Sequence, residues 1–285
     1  MTIDRDTVWY TIWPQVEAFM EATLAENPEQ MRRYLLENSI AADMLDLFDY
    51  PIFDILLKTV LGREKLGVTR AVETENGRYV HLEYAWPDPD STDNSYTAND
   101  VVTVTLTAPA EEQWRIVEIN PSAIDLPLNG GRARAVIATG QTLNEDRIPG
   151  EAWILPYTLY GGLLKMRLRP EALADAVEQL LLPALQDRSY GVMAQLYGRR
   201  LWRDFRQTAN PALDKPAGWA AAVEYILSEQ DMRNATQASV AKQYKLPLSL
   251  MAPRIRQIKA TLDVQKPDER YSDMQTVQIV TNQNP

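Results

Sequence analysis

The spacing of apolar residues changes twice along this chain, and those changes limit its fold more than any single motif does. From Val8 to Leu24 the apolar positions recur at helical intervals: Val8, Ile12, Val16, Phe19, Met20 and Leu24. Pro28 suits the first turn of a second helix, and helical spacing continues through MRRYLLENSIAADMLDLFDYPIFDILLKTVLG, interrupted near Pro51 and closed by Gly62. Alternation then takes over. LGVTRAVETENGRYVHLEYAW holds Asn76-Gly77, a strong hairpin signal, between two predicted strands. In the second of them Val80, Leu82, Tyr84 and Trp86 share one face, with Tyr79, His81 and Glu83 on the other. DVVTVTLTAPAEEQWRIVEIN predicts two more strands around a turn near Pro109. Helical spacing returns at Pro170 and predicts five helices, at about 170–187, 189–208, 216–230, 236–245 and 249–263.

This order divides the chain into parts. Residues 1–120 are expected to form an α+β domain with helices packed on an antiparallel meander. Residues 121–164, with Pro121, Pro127, Pro149, Pro156 and the pairs Gly130-Gly131 and Gly161-Gly162, read as a connection. Residues 165–263 are expected to form an all-α domain, and 264–285 a polar, loosely ordered tail in which MQTVQIV is a possible strand. The element order over roughly residues 5–120 resembles the NTF2-like (SnoaL-like) fold. That resemblance implies dimerisation and a pocket between sheet and helices, and no activity for this chain.

Several chemistries lack their residues. There is no cysteine, so thiolate nucleophiles, disulfides and cysteine-ligated metals are excluded. His81 is the only histidine, so no two-histidine metal site can form, and it reads as a surface or rim residue. DPDSTDN (Asp88 to Asn94) departs from a calcium-binding EF-hand loop: Thr92 stands at the fifth position and Asp93 where the turn needs glycine. NGGRARAVIATG has no Gly-Lys-Ser/Thr ending and no dinucleotide-type glycine spacing. The basic and aromatic run AQLYGRRLWRDFR reads as a helix with Tyr197, Leu201 and Phe205 buried and its arginines mostly on the remaining surface. No catalytic residue, metal or cofactor is expected. The opening MTIDRDTVWYTIW lacks the apolar run of a signal peptide, and no stretch approaches a membrane span, so a cytoplasmic location is expected.

Charge directs attention to the C-terminal part. The net charge is −10, with 18 Lys and Arg against 30 Asp and Glu in residues 1–200 but 9 against 5 in residues 201–262. Between Thr236 and Leu262 there are five bases, Lys242, Lys245, Arg254, Arg256 and Lys259, and no acid. In TQASVAKQYKLPLSLMAPRIRQIKATL, Thr236 and Ser249 are expected N-caps, and Met251, Ile255, Ile258 and Leu262 recur on one helical face. The short link around Lys245-Leu246-Pro247 gives the pair of helices at 236–262 a helix-turn-helix cadence. Pro253 would lose a hydrogen bond in a helix capped by Ser249, so that helix is expected to start late or kink.

Residues 215–262, from KPAGWAAAVEYI through TQASVAKQY to PRIRQIKATL, resemble the last three helices of the transcription factor B cyclin box. The resemblance implies DNA contact, with base-touching positions falling on Ser249 and Ala252. This chain departs from the family in carrying Lys245 where the turn usually has glycine, and in lacking the usual arginine at 252.

Three functions follow as expectations. The first is a non-enzymatic regulatory protein that binds nucleic acid through Lys242, Lys245, Ser249, Arg254, Arg256 and Lys259, with the N-terminal domain supplying dimerisation or a ligand pocket. The second is an interaction module that docks a protein partner on Leu248, Leu250 and Met251. The third is an enzyme built in an N-terminal pocket.

Overall fold

A computed structural model describes residues 5–57, 61, 67–73, 79–85, 100–109, 113–123, 166–230, 233–266, 268 and 270–272. The Asn76-Gly77 turn, the DPDSTDN loop, Gly62, most of the 121–164 connection, the MQTVQIV segment and the side chain of His81 lie outside the described residues. The chain divides into two compact units, Met1–Lys165 and Met166–Pro285.

The N-terminal unit is α+β in the coarse sense expected: helices, then an antiparallel sheet. Its first helix begins as Arg5–Thr7, passes through a π-helical stretch at Val8–Ile12, and continues as α1 (Trp13–Leu24). Trp13 N–H reaches back five residues to the Val8 carbonyl. The wide stretch ends beside Pro14, which has no N–H to offer the preceding turn. Pro28 opens α2 (Pro28–Arg32) as its spacing predicts, with Asn27 Oδ1 accepting the Gln30 N–H at 3.0 Å. Ser39 caps α3 (Ile40–Phe48) through the Ala42 N–H at 3.1 Å. Asp49, at φ 62°, breaks the chain direction, and Pro51 starts α4 (Pro51–Leu56).

The sheet is a four-stranded meander, β1 (Gly67–Glu73), β2 (Val80–Ala85), β3 (Asp100–Thr107) and β4 (Arg115–Ala123), paired in that order and antiparallel throughout. Register places Leu82 opposite Val104 and Val104 opposite Ile119, so one face is a continuous aliphatic layer. Those residues are buried together with Phe19, Met31, Leu45 and Phe53 from the helices. Phe19 and Phe53 meet edge to face at 5.1 Å.

In the C-terminal unit a short 3₁₀ turn (Pro170–Ala172) leads to α5 (Glu178–Asp187), α6 (Val192–Ala209), α7 (Pro216–Gln230), α8 (Gln237–Gln243) and α9 (Leu248–Leu262). The single helix expected at 170–187 is therefore shorter. Asp175 Oδ1 accepts the Val177 and Glu178 N–H groups at 2.8 and 3.0 Å and fixes the helix entrance there. α7 packs against α5, α6, α8 and α9, and its GWAAAV stretch is buried all round, as a central helix requires. Small residues let its neighbours approach. At Gly198 of α6 a methyl group would stand 2.9 Å from a Leu227 methyl and 3.0 Å from a Leu185 methyl, so both leucines would have to shift to admit one.

The segment after α9 is not the loose tail that its polarity predicts, at least as far as Ser272. Asp268 N–H donates to Gln230 Oε1 at 2.9 Å, and Tyr271 is buried with its hydroxyl donating to Asp204 at 2.8 Å. Among the described residues no helix is long and apolar enough to cross a membrane, and no cluster of carboxylates and histidine is placed to hold a metal ion.

Candidate nucleic-acid interface

α8 is started by a reciprocal cap: Thr236 Oγ1 accepts the Ser239 N–H at 3.1 Å, and Ser239 Oγ accepts the Thr236 N–H at 3.0 Å. It ends in a Schellman turn. Leu246 N–H bonds the Ala241 carbonyl and Lys245 N–H the Lys242 carbonyl, both at 3.1 Å. That geometry puts Lys245 in the left-handed region, at φ 54°, where glycine is the usual occupant.

α9 then begins earlier than a Ser249 cap implies. Pro247 holds the extended conformation of a cap residue (φ −71°, ψ 144°), its carbonyl accepts the Leu250 N–H at 3.0 Å, and the first helical residue is Leu248. The helix does not start late, and it continues through Pro253, which lies in its interior. Ser249 and Pro253 are both exposed, so water can satisfy the Ser249 carbonyl that proline leaves without a donor.

The predicted site residues part company in three dimensions. Lys242, Lys245, Ser249 and Arg256 are exposed, and among the described residues no ion pair engages the two lysines or Arg256. Arg254 turns inward instead, being only 9% exposed. Its guanidinium lies 4.8 Å from the centre of the Trp219 ring and donates to the Leu250 carbonyl at 2.9 Å and the Asp214 carbonyl at 3.2 Å. Gly218 makes room for it: a methyl group there would stand 2.8 Å from Arg254 Nη1. Lys259 is paired with Glu229 at 2.6 Å. Of the residues expected to dock a partner, Met251 is fully buried in the core, Leu250 is half-buried against α7, and Leu248 is exposed.

A polar clamp ties α8 to the centre of the unit. Glu224 of α7 is almost fully buried, and it accepts the Tyr244 hydroxyl at 2.7 Å and pairs with Arg188. Arg188 also lies over the Tyr244 ring, 4.6 Å from its centre. Burial raises the Glu224 carboxyl above its ordinary value, and Tyr244 and Arg188 offset only part of that effect. Burial, then the neighbouring Glu224 carboxylate, pushes the Tyr244 hydroxyl up, so it remains a donor throughout the ordinary pH range. Tyr244→Phe deletes one donor to a buried carboxylate and is expected to lower stability by about 2 kcal/mol, read from urea unfolding of the full chain. An unchanged midpoint would mean that Arg188 alone satisfies Glu224.

No family model matches the chain, and no solved structure matches it. A comparison with curated proteins finds a 64-residue match, 34% identical, to the uncharacterized protein YccF of Bacillus subtilis (strain 168). The match takes in 22% of this chain and 18% of the length of that protein.

Proposed function

We propose that the C-terminal unit binds nucleic acid through a helix-turn-helix formed by α8 and α9, gripping backbone phosphates with Lys242, Lys245 and Arg256. The observation that carries this reading is the exposure of Lys242, Lys245 and Arg256 on the helix pair, in a segment without one acidic residue. Lys245 sits at a positive φ that costs about 1 kcal/mol relative to glycine, so its replacement by glycine tests the contact without damaging the turn. With Arg254 committed to Trp219 and α9 exposing Leu248 and Pro253, the helix pair holds phosphates without reading bases. The helix-then-meander order of the N-terminal unit supports an NTF2-like reading there, and the last three helices one of cyclin-box type. A docking surface on Leu248, Leu250 and Met251 is less well supported, since Met251 belongs to the core.

The test is binding of the full chain to random-sequence duplex DNA across a salt series. Three phosphate contacts predict a log–log slope of about −2.7, and removing one contact should reduce it by about 1. Lys245→Gly is the decisive variant: affinity is expected to fall while stability stays level or rises by up to about 1 kcal/mol, which separates a lost contact from a damaged fold. Absence of binding at low salt, or binding indifferent to Lys242→Ala, Lys245→Gly and Arg256→Ala together, overturns the reading.

A further inference from the structure

The N-terminal unit is acidic as a sequence, with 13 Lys and Arg against 26 Asp and Glu in residues 1–165. Three of its arginines nevertheless line one cleft of about 420 Å³, a size typical of small-molecule sites. Arg32 ends α2, Arg33 follows it, and Arg115 opens β4. The backbone between them is fixed. Leu36 N–H donates to the Ile116 carbonyl at 2.9 Å, and Ile116 N–H donates to the Tyr34 carbonyl at 2.8 Å, joining the two segments in a parallel bridge. Leu35, Leu36 and Pro109 give the cleft an apolar wall.

The three guanidinium groups differ in their commitments. Arg32 is paired with Asp46. Arg115 donates from one Nη to the Trp114 carbonyl at 2.9 Å, and among the described residues neither it nor Arg33 has a carboxylate partner, although Glu37 also borders the cleft. Arg33 and the remaining N–H donors of Arg115, at one cleft, match the paired oxygens of a carboxylate or phosphate, which guanidinium binds with parallel N–H donors. The start of α3 is not what would hold the anion, because Ser39 already takes the Ala42 N–H.

We propose that this cleft binds a small organic oxyanion, a carboxylate or phosphate monoester on an apolar body. Arg33 and Arg115 hold the charged end, and Leu35, Leu36 and Pro109 cover the rest. The site is independent of the nucleic-acid reading.

The experiment uses the full chain carrying Lys242→Ala, Lys245→Gly and Arg256→Ala, so that the cationic face of the other unit contributes nothing. Titration calorimetry at constant ionic strength compares phenyl phosphate, benzoate, sulfate and the neutral benzyl alcohol. Saturable binding of phenyl phosphate or benzoate is expected, about tenfold or more tighter than sulfate, with none of benzyl alcohol. The preferred anion tells a phosphate monoester from a carboxylate. Arg33→Gln with Arg115→Gln is expected to lower the affinity at least about tenfold at an unchanged urea midpoint. Should that variant lose stability, Arg33→Lys with Arg115→Lys decides the matter, because lysine keeps the charge and loses the fork; a comparable drop is expected. Failure of both organic anions to bind, equal binding of sulfate or benzyl alcohol, or full affinity in the folded arginine variants overturns the proposal.

Discussion

Trp219→Ala is expected to lower the stability of the C-terminal unit by about 3–5 kcal/mol, a large share of what a domain of this size possesses. The ring is buried and packs 5.3 Å from Phe205 and 6.0 Å from Trp202, centre to centre, joining α7 to α6. Its Nε1–H donates to the Ala212 carbonyl at 3.1 Å, which fastens the approach to α7. Its face carries the Arg254 guanidinium. Truncation would leave a cavity and, above it, a buried cation whose Nε already has no hydrogen-bond partner. Trp219→Phe keeps most of the volume and a ring face, so a loss of about 1–2 kcal/mol is expected. Urea unfolding of the full chain measures both, and hydrogen exchange in peptides of α6 and α7 assigns the loss to this unit. The effect should extend to function. The exposed face of α9 is aimed by its buried face, so Trp219→Ala is expected to weaken DNA binding although Trp219 touches no nucleic acid in the proposed arrangement. A loss below about 1 kcal/mol would mean that Met251, Ile255 and Ile258 seat α9 without the aromatic cluster.

Arg254 also shows where sequence spacing stops being informative. The switch from helical spacing to alternation and back is enough to place helices before and after an antiparallel sheet, because period depends on which face is buried and little else. Pro28 and Pro216 at helix starts and Thr236 as a cap follow from local backbone chemistry in the same way. Side-chain fate is different. Arg254 lies three residues after Met251 and four before Ile258, on the apolar stripe, so its inward turn had a signal in the spacing. The partners that make burial of a cation tolerable, the Trp219 ring and the Asp214 carbonyl, stand 35 and 40 residues away and leave no local trace. Tyr271 is the same case in a polar setting: hydrophilic neighbours predict a loose tail, but one distant carboxylate, Asp204, anchors the ring. The early end of α8 at a left-handed lysine and the start of α9 at Leu248 depend on turn geometry that Lys245-Leu246-Pro247 does not declare. The exposure of Lys242, Lys245 and Arg256 needs no such distant partners and follows from their polarity and spacing.

Asp175→Ala is the other substitution with a large expected effect, a loss of about 3 kcal/mol at neutral pH. One carboxylate joins two helices, α5 and α6. It accepts the Val177 and Glu178 amides at the entrance of α5, the Trp202 indole N–H of α6 at 3.0 Å, and the Arg206 guanidinium. Trp202 is fully buried, so no water can replace the acceptor its indole would lose. Burial alone would raise the Asp175 carboxyl, but the Trp202 indole, the two amides and Arg206 outweigh it and hold the group below its ordinary 3.8. The sign of the pH dependence follows. A carboxyl lowered on folding contributes stability that is present above its unfolded value and lost as pH falls through its folded one. The difference between wild type and Asp175→Asn should therefore be full at about pH 6 and shrink only below about pH 4. Glu224 has the opposite sign, because its carboxyl is raised on folding. Its contribution is present below the ordinary 4.5 and is lost as pH rises through the folded value, so Glu224→Gln should improve relative to wild type as pH rises above 4.5. Denaturant unfolding of both variants across this range distinguishes the two carboxylates within one unit. Parallel pH profiles for Asp175→Asn and wild type would show that the Asp175 carboxyl is not lowered on folding.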